Sequence, residues 1–96
     1  MLVLVTYDVE TITSEGSKRL RKVAKECTNF GQRVQNSVFE CVLSEAQFTL
    51  LRSKIEAIID NKSDSIRFYF LGKNWHRHII SLGKKTSYNI DSTLII

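Results

Sequence analysis

The chain has 96 residues, 43% apolar and 25% charged, and 14 Lys and Arg against 10 Asp and Glu give it a formal charge of +4. That length holds one small core and no second domain, and the composition excludes intrinsic disorder. No apolar run approaches the roughly 20 residues needed to cross a bilayer, and the apolar start Met1 to Val5 lacks the basic flank of a signal peptide, so a cytoplasmic protein without membrane contact is expected.

The run Leu2-Val3-Leu4-Val5-Thr6-Tyr7 is rich in β-formers and has the length of a buried central strand. It stops at Asp8, and polar residues 10–13 form a loop. Ser14 is the predicted N-cap of a helix, with Glu15 placed against the positive helix end. Leu20, Val23, Ala24 and Cys27 recur at i, i+3, i+4 and i+7, which is one apolar helix face. Gly31 suits a left-handed residue closing that helix. Residues 31–43 read as strand with a break at Asn36-Ser37, either a two-residue hairpin turn or a bulge in one strand. Ser44-Glu45-Ala46-Gln47 matches a capping box, and Phe48, Leu51, Ile55, Ile58 and Ile59 continue a second helical face. After the polar loop 60–65 come a strand over 66–71, a turn at Gly72-Lys73-Asn74 and a further strand over 75–82.

The order β, α, β, β, α, β, β describes an α+β ferredoxin-like βαββαβ sandwich with an extra C-terminal edge strand. Right-handed crossovers put both helices on one sheet face and leave the other to water or a partner. Residues 1–83 form this domain. Residues 84–96 are an extension whose apolar end, Leu94-Ile95-Ile96, points to docking on a sheet edge or a partner subunit.

Lys18, Arg19, Arg21, Lys22 and Lys25 cluster within the first helix. Such a cluster suits a polyanion such as nucleic acid, and equally a solvated helix face. Cys27 and Cys41 lack metal-ligand or CxxC spacing and read as small buried apolar side chains. His76 and His78 share one strand face, but nothing nearby completes a ligand set, so a basic edge with Arg77 is the reading adopted.

Three blocks then carry a likeness: Tyr7-Asp8-Val9, the stretch from Gly31-Gln32-Arg33 through Ser37-Val38-Phe39-Glu40-Cys41, and Asp64-Ser65-Ile66-Arg67-Phe68-Tyr69. Together they resemble the CRISPR-associated protein two family, nearly over the whole chain, and Gly72-Lys73-Asn74-Trp75 resembles one of its subfamilies. The resemblance implies a homodimer that partners the CRISPR integrase dimer in spacer acquisition. It also implies a metal-dependent endonuclease acting on DNA or RNA, with Mg²⁺ or Mn²⁺. Asp8 matches the family's metal-binding and catalytic aspartate.

Magnesium takes one or two carboxylates and keeps several waters, so one Asp8 per chain is a thin ligand set that two-fold symmetry would double. Tyr7, Ser37 and Phe39 are candidate site surroundings, although alternation directs Tyr7 to the opposite sheet face as a core ring. Phe39 reads most simply as sheet packing or a dimer surface. Arg33 is a candidate phosphate contact or an ordinary exposed strand residue. Glu10 is a loop acid within reach of a water-mediated role. Two other functions remain: a non-catalytic DNA-holding scaffold, and an RNA-binding ferredoxin-like module. Against the last, Ile66-Arg67-Phe68-Tyr69-Phe70-Leu71 lacks the glycines of the usual base-stacking strand motif.

Overall fold

A computed structural model describes residues 1–72 and 79–84. In chain order these form β1 (Leu2–Asp8), α1 (Ser14–Thr28), β2 (Gly31–Gln35), β3 (Val38–Val42), α2 (Glu45–Ile58), β4 (Ser65–Leu71) and β5 (Ile79–Gly83). The strands make one sheet in the order β2-β3-β1-β4-β5, and every neighbouring pair is antiparallel. This is the expected ferredoxin-like arrangement, with β5 as the added edge strand. The last strand is seen from Ile79; residues 75–78 of the expected strand, with His76 and His78, lie outside the described residues, as does Leu94-Ile95-Ile96.

Strand alternation divides the sheet into two unlike faces. Val3, Val5 and Tyr7 of β1, Phe39 and Cys41 of β3, and Ile66 and Phe68 of β4 all point inward. They meet Val23, Ala24 and Cys27 of α1 and Phe48, Leu51 and Ile55 of α2, so both helices cover the same face. The Phe48 ring packs edge-on against Phe68 (5.2 Å between centroids) and Phe70 (4.8 Å). Cys27 and Cys41 are both fully buried, and the Cys41 thiol donates to the Cys27 carbonyl at 3.4 Å. The contact with Cys41, then burial, push the Cys27 thiol up, which keeps it a neutral core group.

On the opposite face, Leu2 stands between Val42 and Leu71 in register. These three side chains are 38%, 68% and 40% exposed, an apolar patch that no described part of the chain covers. No helix of the described residues is long and apolar enough to cross a membrane.

Local structure corrects two expectations. The N-cap of α1 is Thr13, not Ser14: Thr13 is extended, and its hydroxyl accepts the Gly16 N–H at 3.0 Å, while Ser14 is already helical. Gly31 does not close the helix in a left-handed conformation. The helix ends at Asn29 in the right-handed region, and among the described residues only Gly83 has a positive φ, of 92°. Gly31 opens β2 instead, where a Cβ would lie 1.8 Å from the Glu40 carbonyl oxygen. Its role is close approach between strands, not a turn.

The break at Asn36-Ser37 is a two-residue turn joining β2 and β3, and a register shift lies beside it between Arg33 and Gln35. Neither turn residue adopts positive φ, which excludes the mirror-image turns favoured in tight hairpins. The capping box of α2 is present as expected, with Gln47 N–H to Ser44 Oγ at 3.1 Å and Ser44 N–H to Gln47 Oε1 at 2.8 Å.

Gly31→Ala is expected to force β2 away from β3 and destabilise the domain by about 2 kcal/mol or more, as backbone clashes in a sheet do. Urea unfolding measures this, and a midpoint within error of the unsubstituted protein would refute the close-approach role.

Candidate functional site

The site is built from the change of face along β1. Tyr7 points into the core, so the next residue, Asp8, points out from the open face at the strand's end, where it is exposed. Asp8 pairs in register with Ser65 of β4. Tyr7 N–H donates to the Ser37 carbonyl at 2.9 Å, which brings the β2–β3 hairpin tip alongside. The result is an open cleft of about 220 Å³ lined by Thr6, Tyr7, Asp8, Ser37, Val38, Ser65 and Arg67.

Behind the cleft, on the core side, lies a buried polar cluster. Asp64, which immediately precedes Ser65, is fully buried. Its carboxylate accepts from Tyr7 Oη at 2.5 Å, from Arg19 Nε at 2.7 Å and Nη2 at 3.2 Å, and from the Asp60 backbone N–H at 3.0 Å. Burial alone would push the Asp64 carboxyl up. The hydrogen bonds from Arg19, Tyr7 and Asp60 outweigh it and hold the group below the usual carboxylate range. Burial, then the bond to Asp64, push the Tyr7 phenol up, so it stays a donor at any ordinary pH.

Of the residues singled out in the sequence, Tyr7 and Ser37 do meet Asp8 at the cleft. Phe39 does not: it pairs with Val5 at an inward position and is wholly buried in the core. Arg33 lies on the edge hairpin, its guanidinium 5.6 Å over the Phe39 ring and its Nε donating to the Asn36 carbonyl at 2.8 Å. Lys18, Arg21, Lys22 and Lys25 are exposed on α1 at i, i+3, i+4 and i+7, one stripe of the helix. Arg19 differs from them, because its guanidinium turns inward to Asp64 and the nucleic-acid role expected of it competes with that ion pair.

Asp64, Ser65 and Arg67 stand in one of the family-like blocks but were given no site role, and Thr6 was read only as strand. Alternation in β4 carried the signal: with Ile66 and Phe68 in the core, Ser65 and Arg67 must share the face of Asp8. No group of three or more His, Cys, Asp or Glu side chains placed to hold a metal occurs among the described residues. Glu10 is exposed in the loop after β1.

A four-stranded antiparallel core with two helices on one face and an aspartate at the end of its central strand defines a ferredoxin-like α+β protein with a polar strand-end site. The family model described as CRISPR associated protein Cas2 matches residues 1–79, and the chain belongs to that family. It is 54% identical over all 96 residues to a CRISPR-associated endoribonuclease Cas2 of Chlorobaculum tepidum, with both chains covered completely. It is 50% identical over 95 residues to a CRISPR-associated endonuclease Cas2 of Halalkalibacterium halodurans, covering 99% of each. The crystal structure of Streptococcus pyogenes Cas2 at pH 6.5 superposes with a TM-score of 0.74 at 60% identity, covering 86% of this chain and all of the other. Membership gives the chain a CRISPR-related function.

The buried cluster generates a stability prediction with a defined sign. The carboxyl of Asp64 is depressed in the folded state, so its stabilisation is complete above the unfolded value near 4 and is lost as pH falls through the lower folded value. Asp64→Asn is expected to cost about 3 kcal/mol at neutral pH, because it leaves the half-buried Arg19 cation without its counter-charge. It should also flatten the acid limb of the stability profile. Urea titrations from about pH 2 to about pH 7, on both sides of the free carboxylate value, check both effects, and an unchanged acid limb would contradict the assignment.

Proposed function

We propose that this protein is a metal-dependent endonuclease of CRISPR spacer acquisition, acting in the cytoplasm as a homodimer that partners the CRISPR integrase dimer. The observation that carries this reading is the exposed Asp8 at the end of β1, in a polar cleft with Ser37, Ser65 and Arg67. The relatives named endonuclease and endoribonuclease support phosphodiester hydrolysis.

The donor set suits a hard cation only in part. One chain offers Asp8 with neighbouring hydroxyl oxygens, which matches Mg²⁺ or Mn²⁺ holding one carboxylate and several waters. A second Asp8 from a two-fold related copy would complete a firmer set. When bound, such an ion supplies Lewis-acid polarisation of a phosphoryl oxygen and a more acidic water. Asp8 holds the ion at the strand end, and the sheet fixes the backbone that carries Asp8.

The uncovered patch of Leu2, Val42 and Leu71 supports the dimer. It lies on the same sheet face as Asp8, so a second copy seated on that face would bring the two strand ends into one assembly. A second reading has its own observation. The exposed stripe Lys18, Arg21, Lys22 and Lys25 suits phosphate backbones without any chemistry, as a DNA-holding scaffold of the integration complex.

Labelled RNA, single-stranded DNA and duplex DNA, each with and without Mg²⁺ or Mn²⁺, separate the readings. Asp8→Asn should lower metal-stimulated cleavage about 100-fold or more and leave the dimer intact. Equal cleavage by rigorously purified Asp8→Asn, or salt-sensitive binding with no cleavage by either protein, would transfer the function to the scaffold.

Val42→Asp places a charge in the apolar patch and should weaken self-association at least about tenfold. Sedimentation measures it, and an unaffected dimer would move the interface elsewhere.

A further inference from the structure

Arg67 is the other buried charge among the described residues. Alternation puts it on the open sheet face, opposite Thr6 on one side and Ser81 on the other, yet it is only 9% exposed. One of its nitrogens, Nη1, donates to Tyr69 Oη at 3.4 Å.

Its surroundings suggest a use. Arg67 lines the same cleft as Asp8, together with the hydroxyl-bearing Thr6, Ser37 and Ser65. Asp8 lies two residues beyond Thr6 on β1, about 7 Å along the strand, and Arg67 stands across from Thr6. A phosphodiester seated between them would meet a carboxylate end and a cation end. The guanidinium fork matches two oxygens of one phosphate, and it attracts an anion more strongly when partly withdrawn from water.

We infer that Arg67 is the phosphate-holding residue of the site, its guanidinium gripping the non-bridging oxygens of the bound phosphodiester beside Asp8. The inference rests on the nuclease reading for its catalytic consequence and not for its binding consequence. In the cleavage reaction Arg67 offsets charge that gathers on those oxygens, whereas Asp8 serves the cation site. The two residues therefore have separable signatures.

The test uses the full chain with Arg67→Gln, Arg67→Lys and Asp8→Asn, each checked for melting temperature and dimer size. Without metal, a fluorescent 12-nucleotide RNA and its DNA counterpart report binding across a salt series, with inorganic phosphate as competitor. Arg67→Gln should weaken binding about tenfold and reduce the salt slope by about one, while Asp8→Asn binds at least as well as the unsubstituted protein. With Mg²⁺, Arg67→Gln should lower single-turnover cleavage about 100-fold, and Arg67→Lys should recover part of that loss.

If Arg67→Gln folds, dimerises, binds and cleaves like the unsubstituted protein, the inference is overturned. It is equally overturned if binding is lost only together with the dimer, or if Arg67→Lys, folded and dimeric, recovers nothing. Absence of cleavage by the unsubstituted protein would count against the nuclease reading alone, because the metal-free binding arm still decides the role of Arg67.

Discussion

The buried carboxylate of Asp64 is the constraint on which the functional end of the molecule depends. It gathers Tyr7 from β1, Arg19 from α1 and the Asp60 backbone from the turn after α2. Its own backbone adds to the knot: Asp64 N–H bonds to the Asp60 carbonyl at 2.8 Å, and the Asp64 carbonyl accepts Lys84 N–H at 2.7 Å. Gly83, with its positive φ, allows that last approach, since a Cβ there would lie 2.3 Å from the same carbonyl oxygen. Four separate segments are thereby fixed around one residue, three by its side chain and one by its backbone carbonyl. A buried ion pair of this kind adds little net stability over an apolar replacement, but it is unforgiving of partial removal and therefore specific.

What that knot specifies is the position of two backbone neighbours. Tyr7 is tied down on the core side, and the adjacent Asp8 is presented on the open side. Asp64 is tied down likewise, and the adjacent Ser65 is presented opposite Asp8. The period-2 geometry of a strand thus converts a buried anchor into an exposed site one residue away. A polar residue placed on a loop would lack this support, because loops hold side chains less tightly than the sheet they join.

Much of this was legible in the sequence, for reasons that can be located. The apolar periods of 2 and 3.6 gave the element order, and the family likeness singled out Asp8. The facing of Tyr7 followed from alternation alone. The errors came where tertiary contact, not local pattern, decides. Gly31 looked like a helix stop because glycine commonly is one, whereas the close approach of Glu40 is a contact nine residues away in sequence. Phe39 entered the site candidates because it sits in a family-like block, but its simpler reading as sheet packing holds, since its pairing with Val5 turns it into the core. Arg19 was one cation among five on a helix until the fold supplied Asp64, 45 residues later. Arg67 stood in a family-like block yet received no role, because a single arginine in an apolar strand names no chemistry by itself; its meaning depends on which strand end lies beside it.

The two faces of the sheet also explain why a domain this small suits an assembly. Its core face is closed by the helices, and among the described residues fifteen buried apolar or weakly polar ones form one continuous cluster there. The other face holds both the apolar triad of Leu2, Val42 and Leu71 and the polar cleft at Asp8, at opposite ends of β1. Seven residues of strand, about 20 Å of Cα path, separate burial-seeking surface from ligand-seeking surface. A partner drawn to the first is therefore positioned by the same rigid strand relative to the second. Within one chain the cleft has a single carboxylate among its lining residues, and hard divalent cations are held more firmly by two. Self-association through the open face would meet both deficits at once, covering apolar area that one copy leaves wet and adding the acidic group that one copy lacks.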